Sequence, residues 1–283
     1  MNKGYTMHYA DVLTFIQEQW GCNDLYCSVD FSLKAWNEVV DQALQDKLEG
    51  KKGSLPFCVR LVGQSGSGKT SQLLPAVCGA LDACKVPYVR LAVRDFVKYH
   101  PNLENIRKTY GEALLREKTN AFALTLLTLV FEKLVQLRLP ILFEVTLLSP
   151  TYEAFVHRCL QHYNYLCDYQ CLAVSKTLSD RWISERCEST GRVVLEKSSQ
   201  FFFETLKPAL ESLRSFQLHN RVLLWDCQNT VPLETSLEAE SLWQDWESCF
   251  ELSASLPPEV LLKHKMAFLL DFYKKTDFEK LKI

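Results

Sequence analysis

The sequence predicts an α/β fold: a parallel sheet of about five strands with helices on both faces, and helical additions at each end of the chain. Three observations predict it. Short apolar runs rich in β-branched residues alternate with longer segments whose apolar residues recur at helical spacing. Within the short runs successive residues are apolar, which marks strands buried on both faces. A glycine-rich loop separates the first such run from the helical segment after it.

In chain order, residues 8–20 and 30–49 read as helices. In the second, Leu33, Trp36, Val39, Val40, Ala43 and Leu44 fall on one face. Gly50, Lys51, Lys52 and Gly53 then stop the helix and form a linker. PFCVRLVG (56–63) is a strand, KTSQLLPAVCGALDAC (69–84) a helix, and PYVRLAV (87–93) a second strand. A long helical stretch covers about 102–137. PILFEVT (140–146) is a third strand, TYEAFVHRCLQHY (151–163) a helix, and YQCLAV (169–174) a fourth strand. Helices are expected over 179–190 and 198–216, with a fifth strand in RVLLWDC (221–227). The tail from 231 reads as two helices, the last opening on Pro257-Pro258. The expected organisation is a helical N-terminal extension over 1–50, a core over 54–230 and a helical C-terminal extension over 231–283.

Composition excludes several classes. Lys plus Arg number 32 and Asp plus Glu 34, a net charge of −2, so bulk charge does not hold this chain on nucleic acid. The aromatic run in SSQFFFETLKPAL has one lysine beside it and reads as core rather than as a base-stacking surface. No run approaches the roughly 18 apolar residues that span a bilayer, and the N-terminus lacks a signal peptide's apolar core. The eleven cysteines are odd in number, scattered and without a CxxC pair. Cys159, His162, Cys167 and Cys171 match no common zinc spacing and read as packed thiols. A reduced, cytoplasmic chain is expected.

The strongest chemical signal is Gly63-Gln64-Ser65-Gly66-Ser67-Gly68-Lys69-Thr70, which fits G-x-x-x-x-G-K-[ST]. A strand ends there, and glycines let backbone N–H groups turn inward around a phosphate. Lys69 reaches the outer phosphates, the Thr70 hydroxyl suits Mg²⁺, and the following helix turns its positive end to the anion. With Ser71 these residues form the expected nucleotide site of a P-loop, kinase-like core. No N-K-x-D element for guanine is present, which favours ATP. Glu144 ends the third strand, at the carboxyl edge where open α/β sheets bind ligands; a carboxylate there suits Mg²⁺ through water or a substrate hydroxyl.

Five segments in order resemble the zeta toxins, ATP-dependent small-molecule kinases of toxin–antitoxin systems: GQSGSGKTS (63–71), DFVKYHP (95–101), LFEVT (142–146), AVSKTLSDRWISERCESTGR (173–192) and RVLLWDCQN (221–229). The resemblance implies ATP with Mg²⁺ and transfer of the γ-phosphoryl group to a hydroxyl of a small molecule. It implies that Arg186 and Arg192 close over that group, where planar guanidinium forks spread its negative charge. Arg181 is a reserve candidate. It also implies that Glu144 and Thr146 meet the acceptor, and that an antitoxin is a partner. His100, before Pro101, reads as structural.

The departures from the family bear on the acceptor. The family's general-base aspartate falls at Arg94 here, with Asp95 one residue later; a small loop adjustment brings Asp95 to the hydroxyl, and its other reading is a helix N-cap. The family's substrate glutamate aligns with Thr128, and its Gly-Thr-Gly-Arg becomes Val145, Thr146, Leu147 and Leu148. That exchange removes a positive side chain, so a less anionic acceptor than the family's UDP-N-acetylglucosamine is expected. Two further readings stand: a polynucleotide or nucleoside kinase, favoured by a basic channel beside Glu144, and a catalytically inactive nucleotide-binding regulator, favoured by Arg94.

Overall fold

The run Phe57–Val62 forms strand β1, and all six of its residues are buried. It lies near the middle of the sheet because its side chains are covered from both sides. In the computed structural model of the chain the described residues are 33–48, 55–144, 146, 150–191, 194, 200, 204–206, 208, 220–226, 232–235 and 258–281. The other strands are β2 (Val89–Ala92), β3 (Ile141–Glu144), β4 (Leu166–Ala173), β5 (Asn220–Asp226) and β6 (Leu233–Thr235). They form one sheet in the order β2-β3-β1-β4-β5-β6. The first five are parallel, as the sequence predicts; β6 pairs antiparallel with β5. The strand β6 corrects the reading of the whole tail as helical.

Helix α1 (Leu33–Leu48) buries Trp36, Val40 and Ala43 at helical spacing. Helix α2 (Leu74–Ala83) follows a π-wound turn over Lys69–Leu73, and Pro75 sits in its first turn, where a missing N–H costs no hydrogen bond. A 3₁₀ segment runs over Val93–Tyr99. Helix α3 (Leu103–Gln136) is interrupted at Gly111, whose φ of 72° breaks the helical path. Helices α4 (Pro150–His162), α5 (Lys176–Thr190) and α6 (Pro258–Lys274) complete the set. The helix expected over 8–20 lies outside the described residues. Of that expected over 198–216, residues 200, 204–206 and 208 are described and helical. Among the described residues no helix is long and apolar enough to cross a membrane.

Strand alternation divides the core. Cys58 and Val62 of β1 join Phe143, Tyr169 and Val222 against α1, α3 and α4. Phe57, Val59 and Leu61 join Leu142, Leu223 and Trp225 against α2 and α6. Each fully buried apolar side chain of this size contributes about 1.5–3 kcal/mol. Each layer also holds a polar tie. Arg60 of β1 meets Glu153 of α4 at 2.8 Å with both side chains fully buried, and the guanidinium lies over the Phe143 ring. On the other face, Tyr273 of α6 donates to Asp168 of β4 at 2.8 Å, and Trp225 donates to Gln170 at 2.8 Å. Cys159, Cys167 and Cys171 pack in the first layer, and among the described residues no cluster has the make-up of a metal site. Buried His100 takes the Asn102 N–H on Nδ1 and packs edge-on to Phe122, a structural place.

The strand order reverses around β1. The carboxyl ends of β1, β2, β3 and β4 therefore open into one crevice, where such sheets bind ligands.

Candidate active site

The loop after β1 is built on left-handed glycines. Gly63, Gly66 and Gly68 have φ of 149°, 77° and 91°. A Cβ on Gly63 would stand 2.8 Å from Ser67 Oγ and 2.9 Å from the Leu172 carbonyl oxygen. A Cβ on Gly66 would stand 2.5 Å from the Ser179 carbonyl oxygen and 2.7 Å from Ile183 Cγ1. The backbone is thus bare where it turns, on the sheet side and under α5. Gln64 and Ser67 are buried; Gln64 Nε2 donates to the Val174 carbonyl, which ties the loop to the end of β4. Lys69 folds over this turn. Its ammonium donates to the carbonyls of Gly63 and Gln64, the latter at 2.8 Å, and lies 3.5 Å from Ser67 Oγ. Ser71 Oγ donates to the Gly68 carbonyl at 3.3 Å.

The loop encloses that ammonium, although part of the lysine side chain stays at the surface. Burial lowers its pKa to about 7; the Glu144 carboxylate opposes the shift, while the positive charges of Arg116 and Arg186 reinforce it.

Glu144 joins the loop to two strands. The register sets it opposite Leu61 of β1 and Ala92 of β2. Thr70 donates its hydroxyl to Oε1. Arg90 of β2 reaches Oε2 at 2.6 Å, and Arg94 reaches the same oxygen at 3.2 Å. The Glu144 side chain is 7% exposed and serves two guanidinium groups at once. Thr70 and Glu144 offer hard oxygen donors side by side, a set that fits Mg²⁺. Thr146 is half-buried two residues further on.

Asp95 faces elsewhere. Its carboxylate pairs with Lys47 of α1 at 2.7 Å, and the same ammonium donates to the Arg90 carbonyl at 2.8 Å. Arg94 Nε lies 3.9 Å from Asp95 Oδ1. Arg94 is thus the member of the pair beside Glu144.

Helix α5 lies across the loop. Ser175 caps its start by accepting the Leu178 N–H at 3.3 Å, and Gly191 ends it at φ 69°. Ser179 Oγ donates to the Ser65 carbonyl. Arg186 is half-buried on this helix, and its charge acts on Lys69. Arg181 pairs with Glu185 on the solvent face. Arg192 lies outside the described residues.

Three contributors escaped the sequence reading. Arg90 has a local signal, a lone charge inside an apolar strand. Lys47 and Arg116 have none, since each sits in a charged stretch typical of a solvated helix. Arg116 lies on α3 shortly after the Gly111 break, and with Arg94 and Glu112 it lines a cavity of about 320 Å³. That wall brings back positive charge that the Val145–Leu148 exchange was expected to remove.

The zeta toxin family model matches residues 40–237. Among solved structures, a chain from the PezAT chromosomal toxin–antitoxin system of Streptococcus pneumoniae aligns with a TM-score of 0.62 at 20% identity, covering 85% of this chain and 97% of its own. A protein from Chloroflexus aurantiacus aligns with a TM-score of 0.41 at 13% identity, covering 61% of this chain and 85% of its own, too loosely to carry an argument. No curated relative matches the chain.

Proposed function

We propose that this chain, which belongs to the zeta toxin family, uses ATP to phosphorylate a hydroxyl of a small molecule. The observation that carries the reading is the convergence on one loop: bare glycine turns, Lys69 within them, Thr70 on Glu144, and α5 closing from above with Arg186.

The parts divide as follows. Residues 63–71 hold the phosphates, with Lys69 donating to the outer ones in place of the Gly63 and Gln64 carbonyls. Thr70 and Glu144 would hold Mg²⁺, which when bound supplies charge against the phosphate oxygens. Arg186, with Arg192, stabilises the transferring group. Glu144 and Thr146 face the acceptor. Its hydroxyl proton goes to Asp95, which requires exchange of Lys47 for the acceptor. Phosphoryl transfer rests more on positioning and charge than on a strong base, so a held carboxylate does not remove the chemistry. Family membership also supports an antitoxin as a partner.

The test is to incubate the protein with γ-labelled ATP and a small-molecule extract, and to follow label into metabolites. Lys69→Ala should abolish labelling with the circular dichroism spectrum unchanged. Arg186→Gln should lower the rate about 10³-fold, the lower end of an arginine finger's effect. Labelling that survives Lys69→Ala would place the chemistry elsewhere. A second reading, an inactive nucleotide-binding regulator, draws on the Lys47–Asp95 pair and on Arg94 beside Glu144. Tight ATP binding without transfer to any metabolite or to water would select it.

A further inference from the structure

The end of α1 holds the carboxylate that the proposed reaction needs. Asp46, Lys47, Arg94, Asp95, Lys98 and Tyr99 line a cavity of about 350 Å³ between α1 and the 3₁₀ segment. Every charge in that lining has a partner. Asp46 accepts from Lys98 at 2.9 Å and from Tyr99 at 2.5 Å. Arg94 reaches Glu144 at 3.2 Å, and Lys47 pairs with Asp95 at 2.7 Å. The lysine is fixed by more than this pair. Its ammonium also donates to the Arg90 carbonyl at 2.8 Å, on the edge strand of the sheet, and lies 5.4 Å from the centre of the Phe96 ring, itself fully buried. Buried Trp36, Val40 and Ala43 anchor α1 behind it. Asp95 is 28% exposed, so water reaches it. One arginine separates it from the phosphate loop: Arg94 Nε lies 3.9 Å from Asp95 Oδ1, while the same guanidinium holds Glu144, which accepts from Thr70.

We propose that Lys47 makes this site select its acceptor over water: by holding Asp95 it withholds the base from a lone water molecule and yields it to a bound hydroxyl. The inference rests on reading the site as that of a phosphotransferase with Asp95 as its base. The step is the same for either nucleophile. Its oxygen forms a bond to the γ-phosphorus, the bond from that phosphorus to the β–γ bridging oxygen breaks, ADP leaves with the electron pair, and the proton passes to the Asp95 carboxylate. Water gives inorganic phosphate, and the acceptor gives a phosphate ester. A charge-assisted hydrogen bond such as Lys47–Asp95 is roughly twice as strong as a neutral one. Water offers Asp95 one neutral hydrogen bond and has no other surface with which to displace the lysine. The acceptor is held by the rest of its surface, and that binding drives the exchange. Lys47 keeps the Arg90 carbonyl meanwhile, so it returns to Asp95 when the product leaves. Lys47 is a specificity residue in this scheme; the loop and Arg186 carry the transfer.

The experiment measures release of inorganic phosphate from saturating ATP and Mg²⁺ by the full chain, with no acceptor present. Lys47→Gln retains a donor for the Arg90 carbonyl but not the charge. It should raise the rate about tenfold or more, the least that one charge-assisted hydrogen bond supplies, while affinity for a non-hydrolysable ATP analogue stays within about twofold. Lys47→Met, read in parallel so that the test does not hang on one variant, should raise it as well. Lys47→Arg keeps the charge and should fall nearer the parent. Adding Asp95→Asn to Lys47→Gln should remove the gain, because the gain runs through that carboxylate, and adding Lys69→Ala should remove the release altogether. A residue that only braces the fold would lower the rate on replacement rather than raise it. A rate unchanged or lowered in both Lys47→Gln and Lys47→Met overturns the proposal, and so does a gain that survives Asp95→Asn or Lys69→Ala. A chain that binds the analogue but whose hydrolysis ignores Lys47 sinks this inference alone; a chain that binds no analogue sinks the phosphotransferase reading beneath it.

Discussion

Lys69 carries a pH dependence that its surroundings set. Burial lowers its pKa to about 7, aided by the positive charges of Arg116 and Arg186 and opposed by Glu144. Above that pH the free protein holds Lys69 mostly neutral, donating to loop carbonyls. A triphosphate favours the ammonium, because opposite charge stabilises the charged form. Nucleotide binding near pH 8.5 should therefore take up close to one proton, and binding near pH 6 close to none. Affinity should fall as pH rises above 7. Titration calorimetry in two buffers of different ionisation enthalpy reads the uptake directly, and Lys69→Ala should remove it. No uptake at pH 8.5 would mean that Lys69 stays charged throughout. At this scale the sequence was readable where the chemistry is local: the glycines, Lys69 and Thr70 stand next to one another in the chain. Arg90, Arg116 and Lys47 come from three separate segments, and only the fold brings their charges to the loop. Asp95 could be picked out beside Arg94, but its Lys47 partner is 48 residues distant.

Among the elements, the contact of α5 with the phosphate loop decides whether the site closes. Gly66 lies at that contact, beside the Ser179–Ser65 hydrogen bond. Its φ of 77° disfavours any side chain, and a Cβ there meets the Ser179 carbonyl at 2.5 Å, a backbone atom that moves only if α5 moves. Gly66→Ala should separate α5 from the loop, with loss of ATP-analogue binding and a lower midpoint of thermal unfolding. Gly191→Ala supplies the comparison. It carries the same backbone strain at φ 69°, but nothing lies within 4 Å of the added Cβ. It should cost about 1 kcal/mol and leave analogue binding intact. Equal loss of binding in both variants would mean that backbone strain, not the α5 contact, is what matters. The five parallel strands were legible because their residues are apolar on both faces. The start of β4, residues 166–168, was not: Asp168 reads as polar, and the group that satisfies it, Tyr273, lies 105 residues further on. The strand β6 is three residues long and includes Glu234, too short and too polar for a periodic signal.

Across the whole molecule, α6 follows the span that the family model matches, yet it closes one face of the sheet. Lys265 is fully buried there, 3.5 Å from Gln72 in the turn that carries the phosphate loop into α2, and Leu269 and Tyr273 are fully buried as well. A helix joined to the core in this way should unfold with it as one unit, rather than fray as an appendage. The Tyr273–Asp168 hydrogen bond tests that. Burial raises the Asp168 pKa, while Arg221 and the Tyr273 and Gln170 hydrogen bonds lower it. Tyr273→Phe removes one donor from a buried carboxylate and should cost about 1–3 kcal/mol near neutral pH, read as a lower urea midpoint with an unchanged slope. The sign of its pH dependence follows. The lost bond favours the charged carboxylate, so the folded variant binds a proton more readily than the parent does. The penalty should be largest where Asp168 is ionised and shrink as pH falls and the carboxyl is protonated. If α6 is part of one cooperative unit, sheet and helix probes report the same shifted midpoint. If α6 opens separately, the variant leaves the midpoint of the sheet unchanged and shows faster amide exchange in residues 258–274 alone, and the joining of α6 to the phosphate loop through Lys265 would then have no consequence for the stability of the core.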